Sequence, residues 1–166
     1  EVEVLFIDDG STDGSQKLFN SIKHRFQFSY VALHLDNKGN CSSFNEGLVH
    51  ARGKYVIDLS CDDVVYTSLA LRINFFEEQN SDVAVVFSNA LIIDATDSII
   101  GFHYDVDSLG KAIHEVKDGS VFLDVLKSYY ICTSSMMFRK SALDGIGGYD
   151  ESLNYEDFDV KVKLAR

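Results

Sequence analysis

Three acidic clusters, each set beside a short apolar or glycine-rich segment, constrain this chain more than any other feature. Ile7-Asp8-Asp9-Gly10-Ser11-Thr12-Asp13-Gly14-Ser15 follows one apolar run, and Ser60-Cys61-Asp62-Asp63 follows another. Gly147-Gly148-Tyr149-Asp150-Glu151 leads into Tyr155-Glu156-Asp157-Phe158-Asp159. Between the clusters, apolar residues switch from the continuous runs of buried strands to helical spacing. Strands that alternate with helices give an α/β sandwich with a mostly parallel sheet. Carboxylates at the ends of such strands are what a metal–diphosphate site needs.

Val2 to Ile7 is a buried strand by this reading. Asp13 caps a helix whose inner face is Leu18, Phe19, Ile22 and Phe26. Phe28 to Leu35 is a second strand, and Asn37-Lys38-Gly39-Asn40 is turn chemistry. Phe44, Leu48 and Ala51 recur at helical spacing, with Gly53 suited to the C′ position. Tyr55 to Leu59 is a third strand. A helix with Leu69, Ile73 and Phe76 inward follows, then a strand from Val83 to Phe87 that Ala90 to Ile93 continues or pairs with. Asp94 to Gly119 reads as hairpin or loop, Val121 to Leu126 as helix and Ile131 to Phe138 as strand. A last helix starts near Glu156.

The 166 residues suit one domain, and 46% hydrophobic residues are enough for a substantial core. A net charge of −11 argues against a general nucleic-acid surface. It leaves a nucleotide open, because a divalent cation can sit between carboxylates and phosphates. Cys41, Cys61 and Cys132 have no CxxC spacing and read as reduced thiols of a cytoplasmic chain. No apolar run reaches the length of a membrane span. The five histidines show no ligand spacing.

The three clusters, in this order and wording, resemble family 2 glycosyltransferases of the GT-A fold, and the likeness covers nearly the whole chain. The fold implied is a three-layer α/β/α sandwich with a mostly parallel mixed sheet. One catalytic domain spans 1–166, with a nucleotide-binding part at 1–90 and an acceptor and base part at 91–166. The resemblance implies an inverting transfer from a nucleotide-diphosphate sugar, a UDP-sugar, to a glycan, lipid or protein acceptor. Asp8, Asp9 and Ser11 would hold the nucleoside, with Lys38, Gly39 and Asn45 on the donor. Asp63 would be the ligand of Mn²⁺ or Mg²⁺, and Asp62 a ribose or metal-shell residue. Asp157 would be the base, with Glu156 orienting it. Thr133-Ser134-Ser135 would line the acceptor side. The location implied is cytoplasmic, at the inner face of a bacterial cell membrane, with any attachment made through other segments, in polysaccharide biosynthesis.

Two departures stand out: Ser60 replaces the first acid of the usual Asp-x-Asp-Asp, and Phe44 stands where arginine is common. They keep open an inactive sugar-nucleotide-binding domain, or another Mg²⁺-dependent α/β nucleotide enzyme. A calcium loop is excluded more firmly. Asp9, Ser11, Asp13 and Gly14 match its first half, but its twelfth position is Asn20 rather than glutamate. Family members begin with another strand and helix, so the chain reads as an internal fragment lacking both. Weak or absent turnover of this piece alone is the expectation.

Overall fold

A computed structural model describes residues 1–65, 69–128, 131–153 and 156–166. Tyr155, named in the third cluster, lies outside them. Strand β1 is Glu3–Asp8, followed by helix α1 at Ser15–Ile22 and strand β2 at Ser29–His34. Helix α2 is Asn40–His50, β3 is Tyr55–Val56, α3 is Leu69–Glu77 and β4 is Val85–Val86. The hairpin β5 (Leu91–Ile93) and β6 (Ile99–Phe102) precedes α4 (Phe122–Lys127). Strand β7 (Met137–Arg139), α5 (Lys140–Ile146) and α6 (Glu156–Leu164) complete the described strands and α-helices, and 3₁₀ turns lie at Lys23–Arg25 and Thr133–Ser135.

β1 and β2 pair in parallel from Glu3↔Ser29 to Asp8↔His34. β7 lies between β3 and β4 and runs antiparallel to both. β3 and β4 therefore point the same way, and β7 is the reversed strand.

Helices cover both faces, as the sequence led us to expect. On β7, Phe138 packs with Phe44 and Leu48 of α2, Leu143 of α5 and Val160 of α6. The next residue, Met137, turns to the other face and packs with Phe76 of α3 and Val86 of β4. This is the strand's two-residue period placing helices on opposite sides of one sheet. Around β1, Phe6 stacks on Phe19 of α1 with ring centroids 4.1 Å apart. A methyl group at Gly47 would collide with Ile7 Cδ1, so α2 lies directly against β1 there.

Several local readings need correction. Leu18 is 64% exposed, so the inner face of α1 is carried by Phe19. Asp13 makes a turn with the Ser15 amide and hydroxyl (3.0 and 2.6 Å), and Gly14 is the residue at the helix start. Helix α2 ends at His50 with Ala51 as its cap. Gly53 is instead the close approach where its N–H donates to Glu3 Oε1 (2.9 Å). The stretch before β7 contains a 3₁₀ turn at Thr133–Ser135, so the strand is short. Helix α5 was not anticipated. No helix among the described residues is long and apolar enough to cross a membrane.

Candidate active site

The first acidic turn is built inward. Asp8 ends β1, is 3% exposed, and accepts from the Ser11 N–H (3.0 Å), Gln16 Nε2 (2.6 Å) and His34 Nδ1 (3.4 Å). Donors from Ser11 and Gln16, with His34, outweigh the cost of burial and hold its carboxyl down to about 2. Asp9 reaches the neighbouring turn: Oδ1 accepts the Lys38 N–H and Oδ2 the Gly39 N–H, both at 2.9 Å. The Lys38 amide, foremost among several donors, lowers the pKa of Asp9. Gly39 has φ +92° with open space around it, and Lys38 Nζ makes no ion pair among the described residues.

Asp8 gives a prediction for acid stability. Its folded pKa lies below the ordinary value of 3.8, so its contribution is complete above that value. It disappears as pH falls from about 4 to about 2. Urea unfolding at pH 5.5 and pH 2.5 should show wild type losing about 1–2 kcal/mol more than Asp8→Asn, allowing for solvent screening at the strand end. Equal losses in the two proteins would remove Asp8 as the cause.

The turn that Asp9 fixes carries Asn40, whose Nδ2 donates to Glu156 Oε1 at 2.7 Å. One helical turn later, Asn45 holds the third cluster. Its Oδ1 accepts the Tyr149 N–H (2.8 Å), and its Nδ2 donates to Tyr149 O (2.9 Å) and Glu151 Oε1 (3.0 Å). The Asn45 amide thus grips protein backbone, a positioning task where the sequence pointed to donor contact. Tyr149 is buried, stacks on Phe44 at 3.9 Å, and donates its hydroxyl to Asp58 Oδ2 at 3.0 Å. Burial pushes the Asp58 carboxyl up, the Tyr149 hydroxyl partly offsets this, and the charge of Glu156 adds to it. Phe44 fills an aromatic stacking position, which accounts physically for an apolar residue there.

These bonds join the first and third clusters and tie Asp58, four residues before Asp62, to the third. Asp9 holds the turn at 38–39, Asn40 holds Glu156, Asn45 holds Tyr149, and Tyr149 holds Asp58 just before Asp62 and Asp63. Asp157 follows Glu156 at the start of α6, and its Oδ2 accepts from Thr133 Oγ1 at 3.0 Å. Lys161 Nζ lies 3.3 Å from the same oxygen and donates to Thr133 Oγ1 at 2.7 Å.

Asp62 is exposed and Asp63 half-buried, and neither carboxylate takes a hydrogen bond among the described residues. No group of three or more His, Cys, Asp or Glu side chains that could hold a metal by itself occurs there either. The donor set is therefore one or two hard oxygens with open coordination. That fits Mg²⁺ or Mn²⁺ bound jointly with substrate phosphates, and does not fit an all-protein cage.

Sequence reasoning missed Asp58, Gln16, His34, Asn40 and Lys161. An aspartate inside the apolar run Tyr55-Val56-Ile57-Asp58-Leu59 was the one available signal, since a carboxylate in a buried strand needs a partner.

Comparison with known proteins bears on the family and the fold. Residues 1–147 match Glycosyl transferase family 2. A poly-β-1,6-N-acetyl-D-glucosamine synthase of Staphylococcus epidermidis is 27% identical over 99% of this chain and 39% of its own length. An uncharacterized glycosyltransferase of Rickettsia prowazekii is 30% identical over 99% of the chain and 50% of its own length. The chain thus spans half or less of these curated relatives. A mannosyltransferase of Pyrobaculum calidifontis, solved with GDP-Man and Mn²⁺, superposes with a TM-score of 0.63 at 17% identity over 99% of this chain and 42% of its own. The helix-covered mixed sheet is thus the GT-A fold, and the chain belongs to glycosyl transferase family 2.

Proposed function

We propose that this chain carries the catalytic core of an inverting glycosyltransferase. It would move a sugar from a nucleotide-diphosphate donor, a UDP-sugar, to a hydroxyl group of a glycan, lipid or protein acceptor. The observation that carries the reading is the state of Asp157. One carboxylate oxygen is held by Thr133 and Lys161, and Oδ1 takes no hydrogen bond among the described residues. A general base must be positioned with an oxygen free to take the proton within hydrogen-bond reach.

In the single displacement, the acceptor O–H gives its proton to Asp157. The acceptor oxygen bonds to the anomeric carbon on the face opposite the diphosphate. The anomeric C–O bond breaks, and its electrons leave with the nucleoside diphosphate. Glu156, tied to Asn40, sets the start of α6 and so the position of Asp157. Lys38 supplies a cation for donor phosphate beside the open backbone of Gly39. Asp8, Asp9 and Ser11 build the turn on which the nucleoside lies. Mg²⁺ or Mn²⁺ held by Asp63, with Asp62 beside it, would neutralise charge on the leaving diphosphate. The part at 1–90 serves the donor and the part at 91–166 the acceptor and base. The location proposed is cytoplasmic, at the inner face of the cell membrane, where surface polysaccharide is built.

The name of the staphylococcal relative points to an N-acetylglucosamine donor, and the archaeal complex holds GDP-Man, so both nucleotides belong in the test. Calorimetric titration of UDP, GDP and dTDP, with and without Mn²⁺, should show Mn²⁺-dependent binding of one nucleotide. Asp63→Ala should weaken that binding at least about tenfold. Binding that ignores both Mn²⁺ and Asp63 would remove the metal assignment. Binding without turnover in the full-length protein would favour the inactive donor-binding domain that Ser60 keeps open.

A further inference from the structure

Lys161 is an expensive residue for the fold. Its side chain is 3% exposed, and that of Asp157 is 18% exposed. Burial pushes the Lys161 ammonium down, and the Asp157 charge beside it pulls the other way. A buried ion pair is a weak source of stability, because desolvation consumes most of the attraction. An apolar side chain at 161, next to fully buried Val160, would fill the same space at less cost.

The geometry gives this cost a use. Lys161 and Asp157 stand four residues apart on one face of α6. Thr133 comes from the 3₁₀ turn before β7, so it belongs to a different element. Its hydroxyl accepts from Lys161 Nζ at 2.7 Å and donates to Asp157 Oδ2 at 3.0 Å. The ammonium can only donate, so it turns the Thr133 proton outward, towards the carboxylate. The direct Lys161–Asp157 contact converges on that same oxygen. Two donors on one oxygen orient the carboxylate, whereas one donor to each oxygen would occupy both.

We infer that Thr133 and Lys161 are positioning residues that lock Asp157 Oδ2 so that Oδ1 alone receives the acceptor proton. The inference rests on the reading of Asp157 as the base. The proton passes from the acceptor O–H to Oδ1 as the new glycosidic bond forms, and neither Thr133 nor Lys161 gains or loses one.

Thr133→Val keeps the shape of the side chain and removes its hydroxyl; Thr133→Ser keeps the hydroxyl. In the full-length protein, Thr133→Val should lower kcat about 10- to 100-fold, the scale of a misoriented catalytic group, with the donor KM within about twofold of wild type. Thr133→Ser should recover most of that loss. Wild-type kcat in Thr133→Val would overturn the inference, as would equal losses in the two variants. Where Thr133→Val does not fold, Lys161→Met, which keeps the stem without the donor, is held to the same kcat and KM outcome.

Asp157→Asn separates this inference from the one beneath it. Full activity there would remove Asp157 as base. An inactive Asp157→Asn beside an unimpaired Thr133→Val would remove the clamp alone. Crystal structures supply a readout without turnover. The Asp157 carboxylate should take a second orientation in Thr133→Val, and an unchanged single orientation would overturn the lock.

Discussion

Asp157→Asn should reduce glycosyl transfer about 10³-fold while leaving Mn²⁺-dependent nucleotide binding within about threefold of wild type. The substitution is nearly isosteric. The carbonyl of the introduced amide can still accept from Thr133 and Lys161, so the start of α6 keeps its place. What the variant loses is the basicity of the second oxygen, and a primary amide does not take a proton at neutral pH. The deficit belongs in kcat, because the proposed nucleotide site lies at the other acidic clusters. Glu156→Gln should be milder, since a glutamine oxygen still accepts from Asn40 Nδ2, the bond seen at 2.7 Å. Steady-state kinetics with a radiolabelled donor, beside calorimetry of both variants, separates the roles. Transfer by Asp157→Asn within tenfold of wild type would dismiss it as the base.

The second large effect concerns two adjacent glycines that look equivalent in sequence. Gly147 has φ +80° and Gly148 φ +75°. Both sit in the left-handed region, where a side chain costs roughly 1–2 kcal/mol. A Cβ on Gly147 would meet nothing within 4 Å, whereas one on Gly148 would land on Asn45 Oδ1. That oxygen accepts the Tyr149 N–H, so Gly148→Ala must dislodge the amide that pins the third cluster. Gly147→Ala should therefore cost about 1 kcal/mol and Gly148→Ala about 3 kcal/mol, strain plus a broken buried hydrogen-bond pair. For a chain of this size that is roughly 2–4 °C against 6–12 °C in Tm. Scanning calorimetry of the two proteins decides it, and equal losses would mean that the Asn45 clasp contributes nothing.

That pair shows where sequence reading stopped. The Gly-Gly-aromatic-Asp-Glu motif was legible as wording, and so was the order of strands and helices from Glu3 to Glu77. Apolar runs and helical periodicity are local signals; β1 and β2 carry the first, and α1 carries the second most strongly. The task of Asn45 was not legible. Its partners, Tyr149 and Glu151, lie 104 and 106 positions away, and no period connects them. Asp58 failed to stand out for the same reason, because its donor is Tyr149, 91 residues on. Helix α5 escaped because Lys140–Ile146 is only seven residues long, holds Gly145 and is followed by Gly147-Gly148, so it reads as a loop. The strand reading of Ile131 to Phe138 failed because Thr133–Ser135 prefers side-chain bonding to the backbone. Ser135 Oγ donates to Ser88 O (2.8 Å) and lies 2.9 Å from Cys132 O, which bends the chain before β7.

The clasp between Asn45 and Tyr149 also sets a waiting time during protein synthesis. At ribosomal speeds of about 5–20 residues per second, the 104 residues separating them take roughly 5–20 s to make. For that interval α2 exists without Tyr149 over Phe44 and without Val160 and Leu143 against Leu48. The nascent segment through α2 therefore presents a bare apolar helix face to whatever surrounds the ribosome. Holding factors that shield such faces would act on this chain before its first and third acidic clusters are joined, and slowing translation after α2 would lengthen its exposure to aggregation.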